Sequence, residues 1–259
     1  MLKLKWLGTA GFHITYKDVE ILLDPFISRP EGANPFFSYT IYDFERVKAI
    51  LISHGHFDHV MDVPRLAKIS EAKIIAPLIC CKNLKKIGIN PDRLYANEKT
   101  KIYELNHNIS IEIIPSRHIL FDSEMVLKTL LKIFKGGIFF KLLPLVLNYP
   151  MGSNSEFLLN FDGYKVLFSG SGGGDFHKLA DFNPDCFLLP FAGRTDVIAH
   201  YMNAIKILSP KTVILHHFDN FYPNFSVKYP VYEFHEAVVK NFPNIKIIIP
   251  EANEVYYVP

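Results

Sequence analysis

Apolar and polar residues alternate from the start of the chain. Leu2, Leu4 and Trp6 fall to one side of Lys3 and Lys5, the period of a half-buried strand. Gly8-Thr9-Ala10-Gly11 ends that run, and 12–16 and 19–23 follow as strands around Lys17-Asp18, so the chain opens as a β-meander. Pro25 stops the ladder and leaves Asp24 at a strand tip. Residues 47–52 are a short unbroken apolar run, the mark of a buried strand. Strands are also predicted at 73–75, 101–105, 109–114, 186–189, 212–215, 245–249 and 254–258, and a hairpin at 155–161 and 164–168 around Asp162-Gly163. Helices are predicted at 64–69, 79–87, 197–208 and 233–241. Strands with helices between them, and no low-complexity linker, imply two sheets with helices outside.

Residues 121–150 depart from this pattern. Leu127, Leu130, Leu131 and Phe134 recur at helical spacing beside Lys128, Lys132 and Lys135. Gly136-Gly137 is expected to break the helix, and an apolar stretch resumes around Lys141 until Pro144 interrupts it. The segment reads as an inserted helical hairpin, apolar and basic, too short and broken to span a bilayer. A lid, an oligomer contact and a peripheral membrane helix compete with a helix pair packed on the core. Residues 27–42, with Phe36, Phe37 and Tyr39 among prolines, fit either a pocket rim or a surface loop with its rings tucked inward.

Composition narrows the classes. A chain of 259 residues, 49% hydrophobic, can bury a large core, and a net charge of +2 gives no electrostatic footprint for nucleic acid. Cys80, Cys81 and Cys186 have neither disulfide-framework nor zinc-knuckle spacing and suit a reducing, cytoplasmic setting. There is no signal-peptide core at the start and no run of about 18 apolar residues, so no transmembrane segment is expected.

The candidate chemistry is concentrated in Ser53-His54-Gly55-His56-Phe57-Asp58-His59, directly after the apolar run at 47–52. This places ligand-type residues on a strand-to-helix loop, with Asp62 expected to cap the next helix and Pro64 in its first turn. His54 and His56, two apart, point the same way in extended backbone. Neutral imidazoles with a carboxylate suit Zn, Mn or Fe. His118 follows the 109–114 strand and His216-His217 follow 212–215, so strand-tip histidines recur, whereas His107 falls in a turn. Asp24 fits two roles, a turn carboxylate or a group that orients a metal-ligating histidine. The loop 169–175, rich in glycine, allows close backbone approach to a ligand but lacks dinucleotide-fingerprint spacing.

His54-Gly55-His56-Phe57-Asp58-His59 resembles the HxHxDH signature of the metallo-β-lactamase fold superfamily. Asp24, His118 and His217 are similar to its further motifs, His217 being preferred to His216 because His-Phe-Asp continues the family's phrase. The branch with ascorbate-6-phosphate lactonase and N-acylphosphatidylethanolamine phospholipase D looks most similar. The resemblance implies an α+β fold, a four-layer αββα sandwich, as a single domain over 1–259 with the 121–150 insertion. It also implies that His54, His56 and His118 hold one metal, and Asp58, His59 and His217 a second. One position departs: Ser171 stands where the family's bridging aspartate should be, and Asp175 is the nearby candidate to replace it.

The expected function is a metal-dependent hydrolase that uses a metal-activated water, with one or two Zn ions, Mn or Fe being alternatives. Asp58 would orient the water and accept its proton. The substrate would be an ester, lactone or phosphodiester, small or lipid-like, amphiphilic and anionic by the character of the insertion. The alternative that Ser171 motivates is a metal-binding sensor or partner module with little or no hydrolysis.

Overall fold

The meander forms because each strand buries one face. In β1 (Leu2–Gly8) Leu2, Leu4 and Trp6 are buried while Lys3 is exposed. The computed structural model describes residues 1–135, 138–226 and 228–259. The meander continues as β2 (Gly11–Tyr16) and β3 (Val19–Leu23), then β4 (Ala49–Leu51), α1 (Phe57–Val60), α2 (Val63–Ile69), β5 (Lys73–Ala76), α3 (Leu78–Lys86) and β6 (Leu94–Ala96). After these come β7 (Lys101–Asn106), β8 (Ile109–Ser116), α4 (Ser123–Lys135), α5 (Phe139–Asn148), β9 (Asn154–Phe161), β10 (Tyr164–Phe168) and α6 (Phe176–Ala180). The chain closes with β11 (Cys186–Pro190), α7 (Val197–Leu208), β12 (Thr212–His216), α8 (Val231–Asn241), β13 (Lys246–Ile248) and β14 (Tyr256–Val258).

The described residues form two seven-stranded sheets, ordered β14-β1-β2-β3-β4-β5-β6 and β13-β12-β11-β10-β9-β8-β7. Both are built alike. An antiparallel meander, β1–β3 in one and β7–β10 in the other, passes into parallel strands, β4–β6 and β11–β13. Trp6, Phe12 and Ile14 of the first sheet share one apolar core with Ile111, Phe157 and Leu159 of the second, and Tyr201 and Phe234 extend that core into α7 and α8. On the far side of the first sheet, Leu22, Ile50 and Ile74 pack with Val63, Leu66 and Leu84 of α2 and α3. The result is the expected α+β sandwich, with helices outside two sheets. Burying both faces of the parallel strands accounts for their unbroken apolar runs.

Several local expectations need correction. Asp58 and His59 lie on a helical turn, α1, rather than in a loop. Asp62 stands at the N-cap of α2, but its side chain makes no cap. Its carboxylate instead accepts from the backbone N–H groups of Ile27 and Ser28, both at 2.7 Å. α5 runs through Pro144 without ending there. The expected break at Gly136-Gly137 lies outside the described residues. β6 and α6, neither expected, are short elements of three and five residues. Among the described residues, no helix is long and apolar enough to cross a membrane.

Candidate metal centre

Strand ends of the two sheets converge. Asp24 ends β3, Ser53 to His56 follow β4, His118 follows β8, Gly170 and Ser171 follow β10, and His217 follows β12. Three overlapping groups of ligand-type residues result, one of them Asp24, His54 and His59. Ligand-type atoms of His54, His56 and His118 lie within 4.8 Å of one another, and so do those of Asp58, His59 and His217. Ring centroids of His54 are 4.6 Å from His56 and 4.9 Å from His118. Asp58 Oδ2 is 3.4 Å from His217 Nε2 and 3.6 Å from His59 Nε2. His216, by contrast, is fully buried in the core between Phe168, on which it stacks, and the edge of Phe12.

Asp24 organises the cluster from behind. Its Oδ1 accepts from the Ser53 backbone N–H at 2.7 Å, and its Oδ2 accepts from Ser53 Oγ and from His59 Nδ1, the latter at 2.7 Å. Ser53 Oγ, having donated its proton to Asp24, accepts from His54 Nδ1 at 2.9 Å. His118 Nδ1 is 2.9 Å from the Ile119 carbonyl oxygen, which can only accept. Each of these bonds puts the proton on Nδ1 and leaves Nε2 as the lone-pair nitrogen facing the cluster. His54 Nε2 consequently aims its lone pair at His56 Nδ1, 3.0 Å away.

The electrostatics match that arrangement. Burial pushes the pKa of His54 well below the ordinary histidine value, that of His56 down to about 4, and that of His118 downward, so all three are neutral donors at pH 7. Burial opposes ionisation of Asp58, but His59 and His217 outweigh it and hold its carboxyl below the usual range. Burial likewise opposes a charge on His59, and there Asp58 and Asp24 prevail and raise its pKa. His217 Nδ1 is buried with no partner among the described residues. Three neutral imidazoles beside an ionised carboxylate, with His59 held between Asp24 and Asp58, fit a divalent transition metal.

Ser171 faces the same cavity and donates to Asn154 Oδ1 at 3.0 Å. Asp175 does not replace the missing aspartate: it caps α6, accepting from the N–H groups of His177 and Lys178 at 3.2 and 3.4 Å. The glycines of this loop serve internal packing. A Cβ at Gly170 would collide with Ser53 Oγ, and one at Gly173 with the Arg117 carbonyl oxygen. The close approach that the sequence suggested is therefore to the histidine-bearing loops themselves.

The clusters line a cavity of about 370 Å³ walled by Phe57, Ile119, Phe121, Tyr149 and Phe221. It shares Met125, Thr129, Ser226 and Tyr229 with an open cleft of about 1250 Å³ beside α4. Residues 27–42 line neither space. Phe37 and Tyr39 turn inward, Phe37 lying edge-on to Trp6 at 5.4 Å, so the pocket-rim reading does not hold.

Three functional supports escaped the sequence reading. Ser53 relays between Asp24 and His54. Arg29 pairs with buried Asp219 at 2.5 Å while Asp219 accepts from the Thr9 N–H, and the His217 N–H donates to the Thr9 carbonyl at 2.7 Å, which fixes the His217 turn. Fully buried Glu156 lies under the glycine loop, where burial raises its pKa to about 7 against the pull of the Ser169 and Ser116 hydroxyls. Ser53 and Asp219 sit inside the quoted motifs. Arg29 and Glu156 carry no sequence signal.

Fold and site together define a metal-dependent hydrolase. The chain belongs to the beta-lactamase superfamily, whose family profile, described as "Beta-lactamase superfamily domain", matches residues 3–217. It is 27% identical over 239 residues to a metal-dependent hydrolase of Pyrococcus abyssi, covering 86% of this chain and 87% of that protein. It is 26% identical over 256 residues to a metal-dependent hydrolase of Polynucleobacter asymbioticus, covering 95% and 82%. In fold it is similar to Igni18, a metallo hydrolase of Ignicoccus hospitalis, with a TM-score of 0.70 at 20% identity over 100% of this chain and 99% of that one. These relatives favour the hydrolase reading over the non-catalytic one.

Proposed function

We propose that His54, His56 and His118 hold one divalent metal tightly, zinc in the first instance, and that Asp58, His59 and His217 hold a second more weakly. The observation that carries this reading is the convergence of six donors, from three stretches of chain, into two triads in which Asp24, Ser53 and Ile119 fix the free nitrogens of His59, His54 and His118. The chemistry that a metal would supply between these residues is a bound water with its pKa lowered to about 7 and a polarised scissile bond. Asp58, whose carboxylate lies 3.6 Å from His59 Nε2 and 3.4 Å from His217 Nε2, would orient the attacking water and accept its proton on a carboxylate oxygen. The apolar walls admit an ester, lactone or phosphodiester with an apolar portion and exclude bulk water around the scissile bond. The second site is the weaker because Ser171 offers a hydroxyl already engaged with Asn154, where a carboxylate would neutralise positive charge. The chain works as a single domain, and its three free, buried cysteines support a cytoplasmic setting.

Metal content per chain, measured by elemental analysis of protein prepared without chelator, tests the reading. About one tightly held metal, rising toward two with excess zinc, is expected. Ser171→Asp is expected to raise the stoichiometry in the absence of excess metal. Protein that binds neither zinc nor manganese would sink the proposal.

A further inference from the structure

The α4–α5 region has an exterior unlike the rest of the molecule. Twelve of the twenty-two large apolar side chains exposed among the described residues lie between 120 and 151. In α5 the inward stripe is Ile138, Leu142, Leu145 and Tyr149. The first two are buried, and the last two pack on the Phe26–Phe57–Phe221 cluster. The opposite side presents Phe140, 80% exposed, and Leu147, 70% exposed. In α4, Leu127 is 58% exposed. An outward face of this size on two amphipathic helices needs a partner.

Charge selects the partner. The stretch 120–151 carries Lys128, Lys132, Lys135 and Lys141 against Asp122 and Glu124. Asp122 is engaged by the Thr195 N–H and hydroxyl, and Glu124 by Lys128 at 2.6 Å. A two-fold contact with a second copy would set the net positive charge of this stretch, +2 by sequence, against itself. An anionic lipid surface would complement it, while the exposed leucines and phenylalanines enter the acyl boundary. The patch is also continuous with the cavity, since Phe121, Val146 and Met151 are exposed on the outside and line the histidine cavity as well.

We propose that the exposed apolar sides of α4 and α5 dock on an anionic lipid surface and open the histidine cavity toward it. The docking is independent of the hydrolase reading. Only the consequence, that a substrate with an acyl chain passes from the lipid into the cavity, rests on that reading.

The test is flotation of the full-length protein with vesicles of phosphatidylcholine alone and with phosphatidylglycerol added, read without substrate. Binding is expected to rise with phosphatidylglycerol and to fall with added salt. The triple variant Leu127→Ser/Phe140→Ser/Leu147→Ser changes only exposed side chains that line neither cavity and should fold normally. Its partitioning should drop by roughly a hundredfold, the loss expected for three such side chains leaving the acyl boundary. No flotation of the parent protein on either vesicle would overturn the proposal. A dimer in sedimentation that the triple variant dissolves, without vesicle binding, would overturn it in favour of a second copy. Flotation with unchanged turnover on acyl esters of every chain length would keep the docking and overturn only the delivery.

Discussion

The histidine cluster and the α4–α5 segment border the same cavity, yet they hold their shape by opposite means. The cluster is a buried polar lattice in which Asp24 accepts three hydrogen bonds and, directly or through Ser53, sets the tautomers of two histidines. The segment is anchored by one apolar stripe and by Asp122, and turns its remaining apolar surface outward. In a buried polar lattice each member fixes its neighbours, so one change propagates. On the exposed sides of the segment each side chain is nearly independent, so single changes should go unnoticed until a partner surface is present.

The largest effect is expected at the cluster. His56→Ala removes one nitrogen of the three-histidine group and should eliminate tightly held metal and essentially all turnover while the chain still folds. Elemental analysis alongside circular dichroism checks both halves, and unchanged metal content would refute the assignment. Asp24→Asn comes next. It retains the shape but removes the charge and one acceptor behind His59 and Ser53, so metal affinity should fall by about 10–100-fold, measured by chelator competition. If the affinity is unchanged, Asp24 is a turn residue and the lattice is not what positions the histidines.

The difference between the regions also explains what the sequence reveals. The sandwich was legible because strands buried on one or both faces must show period two or unbroken apolar runs, as Leu2 to Trp6 and Cys186 to Leu189 do. His54, His56, Asp58 and His59 were legible because local spacing alone brings them together. β6 was missed because it adds at the sheet edge with only half-buried side chains, and α6 because a single helical turn owes its start to one cap, Asp175. Asp62 misled because the signal for a helix cap is identical to that for a carboxylate reaching another loop, here Ile27 and Ser28. Glu156 and the Arg29–Asp219 pair depend on contacts across 40 and 190 positions, which no local pattern encodes.

Glu156 gives the buried region a pH dependence. Its folded-state value of about 7 lies above the ordinary 4.5, so the folded chain holds this proton more tightly than the unfolded chain. The stabilisation is complete below the unfolded value and is lost as pH rises through about 7, an amount of about 3 kcal/mol by linkage. Glu156→Gln keeps a neutral side chain at all pH. It should be near neutral at pH 5 and more stable than the parent at pH 8 by up to that amount, read from denaturant melts at the two pH values. A parallel pair of stability curves would show that Glu156 keeps its charge, paired by something else under the glycine loop.

The smallest effect belongs to the exposed side of α5, and it is the most discriminating because the control lies two residues away on the same helix. Leu142 is 4% exposed and Phe140 is 80% exposed. Leu142→Ser removes a buried apolar side chain and leaves a hydroxyl in its place, and should cost about 2–5 kcal/mol in a denaturant melt. Phe140→Ser takes a larger ring off an outward position and should stay within about 0.5 kcal/mol. Equal costs at the two positions would mean that the face is covered in solution, and α5 would then be a packed element like any other helix. A large cost at Leu142 with none at Phe140 leaves the apolar exterior unexplained by folding, and an outer face retained without a stability role is what a surface used for binding requires.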